Sequence, residues 1–269
     1  MTRALSLAAL TVLELSPPQM VACAAAAGYS HVGLRLVPAS DHEPTWPVIG
    51  DTPMVREIES RLRDAGVRLL DIEIFRLKPE TAVRDYLPAL ETGAQLGARH
   101  ALVAGNDPLE ARLVERFAAL CDLGAPLGLD FALEPMPWTD VKTLQQGARI
   151  IEASGRANAA ILIDPIHFDR GGNMPADIVA VRRERLRYAQ LCDAPAERPR
   201  DEETLLHQAR AERLMPGDGG LDLAGMLRAL PRDIPLSLEV PMLALKKTLS
   251  AVARATMIRA KAEAVLAGL

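Results

Sequence analysis

Five residues able to do chemistry stand at or just past the ends of four apolar runs in the second half of this chain. They are Glu134 in FALEPMP, Asp164 and His167 in ILIDPIHF, Gln190 in YAQLCDAP and Glu239 in PLSLEVP. A carboxylate that follows aliphatic residues is costly to desolvate unless it is paired or bound to a cation. Three carboxylates and a carboxamide form an all-oxygen ligand set suited to one divalent ion, Mn2+, Mg2+ or Co2+, with positions left for water or substrate. Zinc is less favoured without a nitrogen or sulfur donor. A dication that chelates a carbonyl and its neighbouring hydroxyl makes the adjacent C–H bond acidic. Glu134 and Glu239 could then act as base and acid on two faces of a keto-sugar, which is isomerisation or epimerisation. If a leaving hydroxyl lies β to the carbonyl, His167 is the natural proton carrier and the outcome is dehydration. One constellation serves both reactions, with isomerisation or epimerisation the first reading and dehydration the alternative.

Such residues need elements that bring four run ends together. Short β-rich runs recur over the whole length: Leu5 to Leu10, His31 to Leu36, Arg68 to Phe75, His100 to Ala104, Asp130 to Met136, Ala159 to Asp164, Leu186 to Cys192 and Pro235 to Val240. Helix-like stretches lie between them, with readable punctuation: Ser16 and Pro17 before one that stops at Gly28, Asp51 and Pro53 before one ending near Gly66, Asp107 and Pro108 before a long one. Eight strand and helix units in 269 residues predict a parallel sheet closed into a single (β/α)8 barrel spanning 1–269, because barrels run to roughly 250 residues as one unit. In such a barrel the chemistry sits at the C-terminal ends of the strands. A dinucleotide-binding fold is excluded by TVLELSPP where GxGxxG would stand, and neither GxxxxGK[ST] nor GxSxG occurs.

Other residues at the same mouth are candidates for holding substrate: Arg35, Glu73, Arg76, Trp138 and Arg213, with Arg35 and Glu73 alternatively a structural ion pair. The long loop Pro38 to Thr52, carrying His42 and Trp46, reads as a lid. Cys192 reads as a small buried apolar residue, Arg182, Arg183, Arg185 and Arg187 as a solvated helix face, and Leu243 to Leu269 as one long helix covering the barrel or pairing subunits into a homo-oligomer. Net charge −4 and pI near 5.8 argue against nucleic-acid binding. Three dispersed cysteines suggest neither disulfides nor a cysteine zinc site, and fit the cytoplasm. No apolar run reaches the roughly 18 residues needed to span a membrane.

Taken in order, GYSHVGLRL, LLDIEIFRL, LGARHALVAG, ALEPMPW, LIDPIHFDRGG, YAQLCDAP, RLMPGDGGLDL and LSLEVP resemble the xylose isomerase-like TIM-barrel superfamily of sugar phosphate isomerases and epimerases. The resemblance implies that Glu134, Asp164, Gln190 and Glu239 bind the metal and that His167 contacts a small sugar or cyclic keto-polyol substrate. In ketose 3-epimerases of this group the third ligand is usually a histidine. A glutamine there, as at Gln190, resembles some metal-dependent 3-dehydroshikimate dehydratases. Five histidines in all, mostly elsewhere, disfavour the multi-zinc endonuclease branch. A barrel that binds ligand without turnover is the third reading, and Gln190 is the feature that favours it.

Overall fold

The computed structural model describes residues 3–40 and 42–269. Its eight strands are β1 (Leu5–Leu7), β2 (His31–Arg35), β3 (Arg68–Leu77), β4 (His100–Gly105), β5 (Asp130–Glu134), β6 (Ala159–Ile161), β7 (Ala189–Leu191) and β8 (Leu236–Leu238). All pairings are parallel, in the order β6-β5-β4-β3-β2-β1-β8-β7. Between the two ends of that order the Gln190 amide donates to the Ile163 carbonyl at 2.9 Å, so the sheet curls back on itself as a TIM barrel. Every predicted run coincides with a strand, β3 and β4 each running past the expected end. Most strands are shorter than expected; β1 stops at Leu7 because the chain turns into a 3-10 segment, Ala9–Val12.

The helices are α1 (Pro17–Ala26), α2 (Pro53–Ala65), α3 (Leu87–Gln95), α4 (Glu110–Gly124), α5 (Leu144–Ala153), α6 (Pro165–Arg170), α7 (Pro175–Val179), α8 (Glu202–Ala211), α9 (Leu223–Ala229), α10 (Leu243–Lys246) and α11 (Ala251–Ala267). The start signals work as their chemistry requires. Gln19 accepts from the Ser16 amide ahead of Pro17, Thr52 accepts from Val55 N, and Gly66 ends α2 at φ +65°. Two expectations need correction. The C-terminal stretch is two helices, broken ahead of the Ser250 cap. Its second helix is tied to the start of the barrel by the Arg254–Glu14 ion pair and by Tyr29 Oη on the Ala255 carbonyl. The arginine cluster is a solvated face only in part, on a 3-10 turn: Arg182 and Arg183 are exposed beside Glu152 and Asp233, whereas Arg185 is buried, paired with Glu152 and donating to the Ala159 carbonyl.

Strand alternation sorts the side chains into two shells. Leu5, Leu7, Phe131, Leu133, Leu191, Leu236 and Leu238 belong to the core between strands and helices. The residues between them therefore face the lumen, where Leu102, Ala104, Ala132, Ala160, Leu162 and Tyr188 form a second, inner cluster. The lumen is apolar along β4 to β6. Along β7, β8 and β1 the register partners Gln190, Ser237 and Ser6 make it polar instead. At β2 the Gly33 position lies against Asp71; a Cβ there would come within 2.8 Å of its Oδ1. Among the described residues no helix is long and apolar enough to cross a membrane.

Candidate active site and metal centre

At the C-terminal end of β5 the alternation that sends Leu133 outward sends Glu134 into the barrel mouth, where it is 3% exposed. After β6, Asp164 caps α6: its Oδ1 accepts from the amides of Ile166 (2.9 Å) and His167 (3.1 Å), with Pro165 opening the helix. That turn brings His167 back over the mouth, Nε2 at 3.7 Å from Glu134 Oε1 and Nδ1 at 3.9 Å from Asp164 Oδ1. Ligand atoms of Glu134, Asp164 and His167 lie within 4.8 Å of one another, all buried. Glu239 follows β8 directly and lines the same cavity, which has a volume of about 450 Å³.

Arg213 ties the two remaining carboxylates together. Its guanidinium meets Asp164 Oδ2 at 2.5 Å and Glu239 Oε2 at 2.8 Å, and its Nε donates to the Ala209 carbonyl at 2.7 Å. Asp193 holds the loop that carries it. The Asp193 carboxylate accepts from the amides of Ala194, Gly217, Gly219 and Leu221, and its backbone exchanges two hydrogen bonds with Leu214. A Cβ at Gly219 would sit 2.3 Å from Asp193 Oδ1, so the PGDGG run is glycine-rich where the loop wraps a carboxylate.

Burial raises the Glu134 carboxyl well above its ordinary value, and the nearby charges of Glu239 and Asp164 add to the shift. Burial lifts Glu239 to about 7 against the opposing pull of Arg213. Asp164 is opposed by burial too, yet Arg213 and His167 hold it below the usual carboxylate range. Burial takes His167 down to about 4, so its ring is neutral at physiological pH. Three carboxylates face one guanidinium, and Glu134 Oε1 and Gln190 Oε1 are buried without any hydrogen-bond partner. A buried cluster of carboxylates in contact with a single guanidinium, with two orphaned oxygens, fits a divalent cation.

Residues 21–261 match the family model described as the xylose isomerase-like TIM barrel. The chain belongs to this family. Among proteins of known activity it is 29% identical over 201 residues to a 3-dehydroshikimate dehydratase of Pseudomonas aeruginosa, a match covering 69% of this chain and 31% of that protein. The chain thus spans about a third of that relative's length. Among solved structures it resembles an IolI protein with a bound zinc atom (TM-score 0.80, 18% identity, 98% of each chain). It also resembles a D-allulose 3-epimerase from Methylomonas sp. (TM-score 0.71, 17% identity, 98% of this chain and 99% of that one). Likeness at this identity establishes the fold.

Within this xylose isomerase-like barrel the expected residues fall into three groups. Glu134, His167, Glu239 and Arg213 line the cavity together with Trp138, which stands edge-on to the His167 ring at 4.8 Å. Arg35 and Glu73 also line it but are joined to each other at 2.8 Å, Arg35 reaching Glu43 as well at 2.7 Å. Asp164 and Gln190 lie behind the lining residues, Asp164 as cap and Arg213 partner, Gln190 in the polar layer of the lumen. Of the loop Pro38 to Thr52, Ser40, His42, Glu43 and Pro44 reach the rim of the cavity; Asp41 lies outside the described residues. Cys192 is buried and its thiol is pushed far up by burial, as a structural cysteine should be. Sequence reasoning missed Arg210, which sits 5.6 Å above the Trp138 ring from the end of α8. Nothing in the run LLHQARAER marks it. It also missed Glu43, although a carboxylate in a loop facing the Arg35 strand end was a readable signal.

Proposed function

We propose that this chain is a divalent-metal-dependent dehydratase that removes water from a polyhydroxylated cyclic ketone of the 3-dehydroshikimate type. The observation that carries the reading is the one-sidedness of the acid–base groups. Glu134 and His167 both line the cavity, Glu134 Oε1 buried without a partner and 3.7 Å from His167 Nε2, whereas Glu239 is clamped by Arg213 at 2.8 Å. Two-faced proton exchange needs both glutamates at liberty; elimination needs one proton carrier. The dehydratase relative and the glutamine at position 190 support the same choice.

The cation, Mn2+, Mg2+ or Co2+ by ligand type, would be held by Glu134, Asp164, Gln190 and Glu239. It supplies Lewis acidity toward the substrate carbonyl, which lowers the barrier to removing a proton from the neighbouring carbon. His167, neutral in its buried setting, takes that proton; the C–H electrons move into an enolate. The enolate then expels the β-hydroxyl as its C–O bond breaks, and protonated His167 returns the proton to the departing oxygen as water. Atoms balance without an oxidant. Trp138 holds the His167 ring edge-on and excludes water from it. Incubating the Mn2+-supplemented protein with 3-dehydroshikimate, inososes and ketoses, followed by mass analysis, tests the reading: a product lighter by one water supports it, and mass-neutral conversion of a ketose contradicts it.

The second reading, an epimerase on a keto-sugar, is favoured by the Glu239 pKa near 7. A carboxyl poised there, with Arg213 in place, can both give and take a proton near neutral pH.

A further inference from the structure

Most cations around the cavity already have an acid. Arg35 is held by Glu43 and Glu73, Arg213 by Asp164 and Glu239, and Arg254 and Lys246 by Glu14. Arg76 and Arg210 differ. Both line the cavity, and among the described residues neither has a carboxylate oxygen within 4.0 Å. Arg76 spends one nitrogen on Asn106 Oδ1 at 3.2 Å and leaves its Nε buried without a partner. Arg210 lies over the Trp138 ring, a cation–π contact that holds the guanidinium in place without neutralising it. The two also share the adjoining recess with Asn106, Lys78, Glu80 and Asp140, and neither the Glu80 nor the Asp140 carboxylate comes within 4.0 Å of either guanidinium. Burial first, and then the charge of Arg210, weakens the hold of Arg76 on its proton. Two partly desolvated like charges side by side are unfavourable until an anion arrives between them.

We infer that Arg76 and Arg210 form the subsite for a carboxylate on the substrate. This deepens the proposed dehydratase reading and rests on it for the nature of the reacting ring. A planar guanidinium matches a carboxylate through paired hydrogen bonds, and two of them fix its plane and direction. The subsite is one indole away from the chemistry: Arg210 stacks on one part of Trp138, and His167 meets the same ring at 4.8 Å. A carboxylated six-membered ring held there would lie alongside Trp138, on the side of the cavity that His167 and Glu134 also line.

The test is binding, not turnover. With Mn2+ supplied, 3,4-dihydroxybenzoate and catechol are titrated calorimetrically against the protein, Arg76→Gln and Arg210→Gln; the two probes share a chelating diol and differ in the carboxylate. The subsite requires the carboxylated probe to bind about tenfold tighter or more to the unaltered protein. That preference should shrink in each variant while catechol affinity stays. Among the described residues neither guanidinium makes an ion pair, so both variants should melt close to the parent; Arg210→Lys, which keeps charge without the fork, should retain part of the preference. Equal affinity for the two probes, or a preference that survives both substitutions, overturns the inference. Tighter competition by ribulose 5-phosphate than by dihydroxybenzoate assigns the pair to phosphate and overturns it as well. A protein that binds the carboxylate selectively but eliminates no water would sink the dehydratase reading and leave the subsite standing.

Discussion

Arg213 and Asp164 meet at 2.5 Å with their side chains essentially sealed from solvent, and the same guanidinium holds Glu239. Removing one partner of a buried ion pair strands the others. Arg213→Met should therefore cost about 3–5 kcal/mol of folding stability, read as a lower urea midpoint in the chelator-treated protein. Added Mn2+ should restore part of the loss, because a dication can take over the two stranded carboxylates. A variant as stable as the parent would mean that the clamp contributes nothing.

The raised carboxyls make a prediction with a definite sign. Glu239 sits near 7 when folded, lifted first by burial, and Glu134 and Asp71 are also lifted well above the usual carboxylate range, again by burial first. The folded chain keeps protons that the unfolded chain releases. This contribution to stability is complete below the unfolded value of about 4.3 and is lost as pH rises through about 7, with a limiting slope of about 1.4 kcal/mol per pH unit for each group. Because the histidines titrate in the same range, the slope is read as the difference between the chelated parent and chelated Glu239→Gln, and the parent should lose melting temperature more steeply between about pH 5 and 7. Mn2+ should flatten that slope, since it stabilises the ionised forms. A chelated protein with no slope there would contradict the burial argument.

His167 touches both Glu134 and the Trp138 wall, so its loss should act on the rate. His167→Gln should lower turnover by about 10² to 10⁴ while leaving the affinity for Mn2+, measured by calorimetry, within a few fold. An active His167→Gln protein would move the proton carrier elsewhere, with Glu134 the next candidate.

Asp193 acts at a distance from the substrate, through Arg213. Four backbone amides converge on its carboxylate. Asp193→Asn keeps the shape and loses the charge that makes those bonds strong, each worth about 1.5–3 kcal/mol. The expected result is lower stability and, for the folded fraction, a pH profile shifted upward as Arg213 loosens its hold on Glu239. An unchanged pH profile with reduced stability would make Asp193 a loop anchor only.

The barrel was legible because apolar β-runs alternating with capped helices leave few other ways to bury both faces of a parallel sheet. The mouth was legible for a related reason: Glu134 and Glu239 each interrupt an aliphatic pattern at a place where burial would otherwise be costly. The partnerships were not. Arg213 stands 49 residues from Asp164, and nothing local announces that a guanidinium will share the carboxylates that sequence reasoning reserved for a metal. Strand ends were overrun for a similar reason. The unbroken apolar run from Leu7 to Leu10 reads as strand, but Ala9–Val12 is a 3-10 segment against the core, and periodicity over four residues does not separate the two. Arg210 and Arg76 became visible as a pair only once α8 and β3 were folded against the same cavity.

The central claim is metal-dependent proton removal followed by loss of water. Its most direct test is a proton NMR time course in D2O with 3-dehydroshikimate, run with Mn2+ and again after chelation. The reading predicts that 3,4-dihydroxybenzoate accumulates with Mn2+ and that chelation stops it. Solvent deuterium exchanging into the substrate next to its carbonyl, with no aromatic product, would point to the epimerase chemistry; neither exchange nor product, with Mn2+ demonstrably bound, would contradict the account.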